Sequence, residues 1–239
     1  MTTQNDEIAI VLANRRYLYE LCQHIFGHEP SRALLELLIN EHTQEVLDLL
    51  LADENDHHEA QPQTDAYKAY LTLVAELKQA LNRDPEGTLE KIISEYTYLM
   101  IGPNKLPAPP WESVYLTKER LIFQESTLKV RQKFLKYHFL PANYPHEADD
   151  HIAFELDFMG RLAKSTMESF DNANMLEVKN LLTDQKAFLE EHLLVWIGDF
   201  AEVIQESRTH YIYPQIAVLV HEFIKIDKEI IDELMNLHI

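Results

Sequence analysis

The chain has 239 residues, 46% of them hydrophobic, with 21 basic and 40 acidic side chains and a net charge of −19 when the histidines are neutral. That hydrophobic content is enough for a core and excludes a globally disordered chain, while the charge disfavours nucleic acid and anionic membrane and favours a cationic peptide or protein partner. The five glycines are widely spaced and form no phosphate-cradling loop or dinucleotide fingerprint, and the single cysteine, Cys22, has no partner for an internal disulfide and suits a reducing cytosol.

In chain order, nearly every segment shows apolar residues at helical spacing, which predicts an all-α fold. The N-terminal sequence has no cationic region followed by an apolar run, and no stretch is apolar for long enough to insert stably in a membrane, so a cytoplasmic location is expected. Val11, Leu18, Cys22 and Ile25 mark one face of a first helix. Arg15 and Arg16 read as its polar face, because histidines and a glutamate follow them where an export signal would continue as an apolar run. "PSRALLELLI" opens a second helix with proline and serine as its start signal, and Val46, Leu47 and Leu50 mark a short third. The polar run from Asp53 to Thr64 reads as a solvated loop, with His57 and His58 as surface residues. A stripe of Tyr67, Tyr70, Leu71, Val74, Leu77 and Leu81 comes next, then one of Leu89, Ile92, Ile93, Tyr96 and Leu99 that stops at Gly102 and Pro103.

Pro107, Pro109 and Pro110 forbid a helix through "LPAPPWESVY", which predicts a connector or hinge near residues 102–126 that holds Trp111 and Glu112 outside a helix. Helix resumes near Ser126, with Leu128, Phe134, Leu135 and His138 along it, and breaks again at "LPANYPHEADD". It restarts near Asp149 with Ile152, Leu156, Met159, Ala163, Met167 and Phe170 on its core face. Phe188, Leu189, Leu193, Trp196 and Phe200 follow on a long helix, and Ile216, Leu219, Val220 and Phe223 on a last one from about Pro214. These make about ten helices in a single globular domain over residues 1–239.

Asp149, Asp150, His151 and Glu155 are the strongest candidates for chemistry. A histidine and a glutamate four residues apart can share a metal, which makes a metal-dependent all-α hydrolase the alternative reading. Against it, the chain has no His-Asp dipeptide of the all-α phosphohydrolase kind, and Ala153 stands where a terpene-synthase-like helix needs an aspartate. The simpler reading has Asp149 or Asp150 capping a helix and His151 hydrogen-bonding nearby. No Ser/His/Asp arrangement has a hydrolase setting, so no catalytic residue, cofactor or metal ligand is assigned.

Two blocks carry a resemblance. "EYTYLMIGPNKLPAPPWESVY", Glu95 to Tyr115, and "HEADDHIAFELDFMGRLA", His146 to Ala163, resemble the Gly-Pro stop with its Pro-Pro-Trp connector and the Glu-Pro-Asp-Asp-His signature of the TorD/DmsD type of redox-enzyme maturation chaperone, with details leaning to the DmsD branch. The similarity runs over roughly residues 90–200, including "STLKVRQKF" and "FLEEHLLVWIGDF". It implies a TorD-like helical fold and a cytoplasmic, non-enzymatic chaperone in twin-arginine translocation. Such a chaperone binds the twin-arginine signal peptide of a molybdoenzyme precursor of the dimethyl sulfoxide reductase family, holds it for cofactor insertion and prevents premature export. It also implies a monomer or a dimer that exchanges helices through the connector. Carried over residue by residue, the peptide-binding positions are Pro110, Trp111, Glu112, Tyr115, Asp149, Asp150 and His151. The chain departs from the signature at Ala148, where the family has proline.

Overall fold

The computed structural model describes residues 2–51, 64–103, 105–117, 119–141 and 147–237; His57 and His58 lie outside them. The described residues form eleven α-helices and two π-helical turns, with no strand. In chain order the helices are α1 (Thr2–Gly27), α2 (Arg32–Leu38), α3 (Glu41–Leu51), α4 (Asp65–Arg83), α5 (Pro85–Tyr96), α6 (Glu112–Leu116), α7 (Glu125–Lys136), α8 (Ile152–Asp171), α9 (Met175–Phe188), α10 (Leu194–Gln205) and α11 (Tyr213–Asn236). The π turns cover Thr97–Ile101 and Leu189–Leu193. Among the described residues, no helix is long and apolar enough to cross a membrane.

The chain divides into two compact units. Unit 1 comprises Met1–Gly27, Pro110–Ile197 and Ile224–Ile239, and unit 2 comprises His28–Pro109 and Gly198–Phe223.

In unit 1, α1 packs along α8, and α8 along α9. The approach of α1 to α8 is close enough that a Cβ at Gly27 would lie 2.9 Å from the Ala153 Cβ, so glycine is required there. Ile152, Leu156, Met159 and Ala163 are buried as the spacing predicts. Phe134, Phe139, Phe158 and Phe188 form an aromatic cluster with centroids 4.7–6.2 Å apart. On α1, Leu18, Cys22 and Ile25 are buried as expected, and burial pushes the Cys22 thiol up to about 12, consistent with a core residue. Arg15 departs from its expected polar face. It is fully buried, with Nε donating to Asp227 Oδ1 at 2.5 Å and Nη2 to Oδ2 at 3.0 Å, while Arg16 stays half-exposed against Glu20. The face of α7 also differs from expectation: Thr127, Val130 and Phe134 point inward, Leu128 and Leu135 are exposed, and His138 lies past the helix end.

Unit 2 is set by its caps. The Ser31 hydroxyl accepts from Leu34 N–H, Thr64 from Tyr67 N–H, and Asp84 from Gly87 N–H with Pro85 at the first helical position, so each polar residue satisfies a helix N–H that has no partner within the helix. Tyr67, Tyr70, Val74 and Leu77 bury one stripe of α4, and the Tyr70 hydroxyl donates to the Leu38 carbonyl at 2.6 Å. The π turn ends where Gly102 N–H reaches back to the Thr97 carbonyl at 2.7 Å. Beyond it the proline-rich segment folds back, and Ala108 N–H donates to the Leu99 carbonyl at 3.2 Å.

Candidate functional site

The two motif blocks meet in unit 1. Glu112 N–H donates to the Asp150 carbonyl at 3.0 Å and Ile152 N–H to the Pro110 carbonyl at 2.9 Å, forming an isolated antiparallel bridge between Trp111 and His151. Proline suits its position because only its carbonyl is used. A pair flanked in this way is the non-hydrogen-bonded kind, whose side chains approach most closely. The Trp111 and His151 rings accordingly meet edge to face with centroids 5.7 Å apart.

Around this bridge the carboxylates are used internally. Asp150 is fully buried, and its Oδ2 accepts Ser113 N–H at 2.8 Å. Because α6 has no capping side chain at its own N-terminus, Asp150 supplies the cap from the other block. Asp149 is buried against Arg131, at 2.5 Å from Nη2 and 2.7 Å from Nε. Glu112 is buried with Oε2 3.0 Å from His192 Nδ1, and Glu155 Oε2 accepts the Trp196 indole N–H at 3.2 Å. Burial first, then the neighbouring Glu112 and Asp150 carboxylates, pushes Glu155 well above its ordinary value of 4.5. Glu155 therefore carries a proton at neutral pH, which it can donate to Glu112.

The residue that caps α8 is His151, not an aspartate as expected: its Nδ1 accepts Ala153 N–H at 3.1 Å, and the helix begins at Ile152. Burial lowers His151 from 6.5 to about 4, which keeps the ring neutral and Nδ1 able to accept. Glu112 also departs from the expected irregular connector, since it opens the short helix α6.

Of the seven carried-over residues, Trp111, Tyr115 and His151 are partly exposed, while Pro110, Glu112, Asp149 and Asp150 are buried. Tyr115 stacks on buried Trp196 with centroids 5.3 Å apart. Glu147, not singled out from the sequence, is partly exposed and accepts the Trp111 indole N–H at 2.9 Å. His192 was also missed: periodicity could not show it, because it sits in a π turn that adds a residue to the helix. Its only sequence sign is its place in "FLEEHLLVWIGDF". Among the described residues, no three His, Cys, Asp or Glu side chains are grouped to hold a metal ion, so the hydrolase alternative gains no support.

The helical fold and the relatives of the chain define a chaperone, not a catalyst. The chain belongs to the nitrate reductase delta subunit family, whose model matches residues 63–202. It is 34% identical over 134 residues to a protein named probable Tat proofreading chaperone DmsD from Haemophilus influenzae, a match covering 56% of this chain and 59% of that relative. It is 25% identical to the chaperone protein TorD of Aliivibrio salmonicida over 89% of this chain and 92% of that one, and 28% identical to TorD of Vibrio vulnificus over 87% and 98%. A crystal structure titled as a putative redox enzyme maturation protein from Archaeoglobus fulgidus aligns with 78% of this chain and 96% of its own at 21% identity, with a TM-score of 0.38.

Proposed function

We propose that the protein is a cytoplasmic proofreading chaperone, acting through residues 1–239 as one chaperone domain, that binds the twin-arginine signal peptide of a molybdoenzyme precursor of the dimethyl sulfoxide reductase family. It holds the precursor while the molybdopterin cofactor is inserted and delays export until then. It acts as a monomer or as a dimer exchanging helices through residues 102–126. The names of the relatives support the Tat and chaperone parts of this reading.

The observation that carries the peptide site is the Trp111–His151 bridge, which sets two partly exposed rings side by side with Glu147 at the indole edge. A signal peptide offers arginines and an apolar segment. The rings and Tyr115 suit the apolar segment, and Glu147 is the carboxylate at this surface for an arginine. Buried Glu112, Asp149, Asp150 and Pro110 act one step back, by holding α6 and the bridge in place.

Titration calorimetry with a twin-arginine peptide tests this. Trp111→Ala is expected to weaken binding by about 2 kcal/mol, the scale of a desolvated aromatic anchor, and Glu147→Gln by about 1 kcal/mol. Asp150→Ala is expected to cost less affinity than Trp111→Ala in molecules that remain folded. Unchanged affinity in Trp111→Ala, or the reverse order of Trp111 and Asp150, would reject the site.

A further inference from the structure

Unit 2 carries a second groove built for a different charge. A cavity of about 750 Å³ lies between α5 and the segment before α11, lined by Lys91, Tyr98, Arg208 and Tyr211 among others. A second, of about 370 Å³, runs on past Gly102 to Lys105 and Pro107, and the two share Ser94 and Tyr98. They form one elongated trough along α5 and its π turn, entirely within unit 2.

The charge of this trough runs against its surroundings. The sequence of unit 2 holds 19 acidic and seven basic residues, yet three of the seven, Lys91, Lys105 and Arg208, line the trough. All three are exposed, and none makes an ion pair or side-chain hydrogen bond among the described residues. Of the two carboxylates present, Glu95 is buried and already accepts the backbone N–H groups of Tyr211, Ile212 and Tyr213 at 2.8–3.2 Å. Those N–H groups at the start of α11 balance its charge, which leaves Glu90 as the only carboxylate open to a ligand in the trough. Tyr98 and Tyr211, each about half exposed, supply apolar faces between the cations.

We propose that this trough binds an acidic linear peptide segment that carries apolar side chains, such as a stretch of a client protein outside its basic signal. The elongated, open shape suits an extended chain, and the three cations would repel an arginine-bearing peptide. The trough uses none of the residues proposed for the signal peptide.

The test is fluorescence anisotropy at low salt with a short labelled peptide that alternates glutamate and leucine, a control with lysine replacing glutamate, and inorganic pyrophosphate as competitor. The acidic peptide is expected to bind, more weakly as salt rises, and the lysine peptide is not. Lys91→Glu and Arg208→Glu should each weaken the acidic peptide about fivefold, and together more than tenfold, with circular dichroism confirming that the variants fold. Trp111→Ala should leave this binding unchanged, which separates its failure from failure of the signal-peptide site. No binding, binding unaffected by the double charge reversal, or full displacement by equimolar pyrophosphate would overturn the proposal, the last by marking a site for small anions.

Discussion

Unit 1 buries two polar networks of opposite design. In the first, Arg15 is held by both oxygens of Asp227, Tyr19 donates to the same carboxylate at 2.6 Å, and Gln185 links Arg15 to Thr166. Its cation and anion match one to one. In the second, Glu112, Asp150 and Glu155 are buried together around His192 and Trp196, and the surplus negative charge is relieved by keeping a proton on Glu155. The balanced network ties α1 to α11 away from the motif blocks, whereas the acid-rich one lies beneath the Trp111 bridge. Charge matching thus marks a strut, and charge excess marks the support of the candidate site.

The sharpest way to break this contrast is to remove one partner of the matched pair. Asp227→Ala strands a buried guanidinium and should cost about 3–5 kcal/mol in urea unfolding, most of it recovered in the double variant Arg15→Met with Asp227→Leu. Glu155→Gln should act in the other direction. Between 4.5 and its raised folded value, native Glu155 keeps a proton that the unfolded chain releases, so wild-type stability falls as pH rises through that window. The glutamine variant lacks this loss, and its melting temperature relative to wild type should climb from pH 4.5 upward; a gap independent of pH would show Glu155 ionised in the fold. His151→Asn keeps a capping oxygen and tests the acid limb. His151 is lowered to about 4, so the unfolded chain binds a proton that the fold resists, and wild-type stability is lost as pH falls from 6.5 toward 4. That part of the acid loss should vanish in the variant. The smallest effect belongs to Arg16→Ala, which removes a partly exposed pair with Glu20 and should shift stability by no more than about 0.5 kcal/mol.

The contrast also explains what the sequence made legible. Helices, their Ser31 and Asp84 starts, and most core stripes follow from spacing within one turn or two, and the structure has them. The partnership of Arg15 with Asp227 spans 212 positions, and no local pattern marks it; the two adjacent arginines looked alike until one was found buried. Leu128 and Leu135 were placed on the core face of α7 by their apolar character, but the helix instead turns Thr127, Val130 and Phe134 inward. At the site, Trp111 and His151 were legible as motif residues. The roles of the acids were not, since whether a carboxylate meets solvent or caps a distant helix is decided by tertiary packing.

The π turn at Leu189–Leu193 has a consequence for insertions and deletions. It amounts to one residue added to the helix that runs from α9 into α10, and a residue turns an α-helix by about 100°. Deleting a single residue there would leave an unbroken, well-formed helix in which His192 and Trp196 no longer share a bearing with Phe188. The segment therefore works as a phase-setter: its length in residues, more than the identity of Glu190 or Glu191, fixes whether the helix delivers an imidazole and an indole to the buried acids.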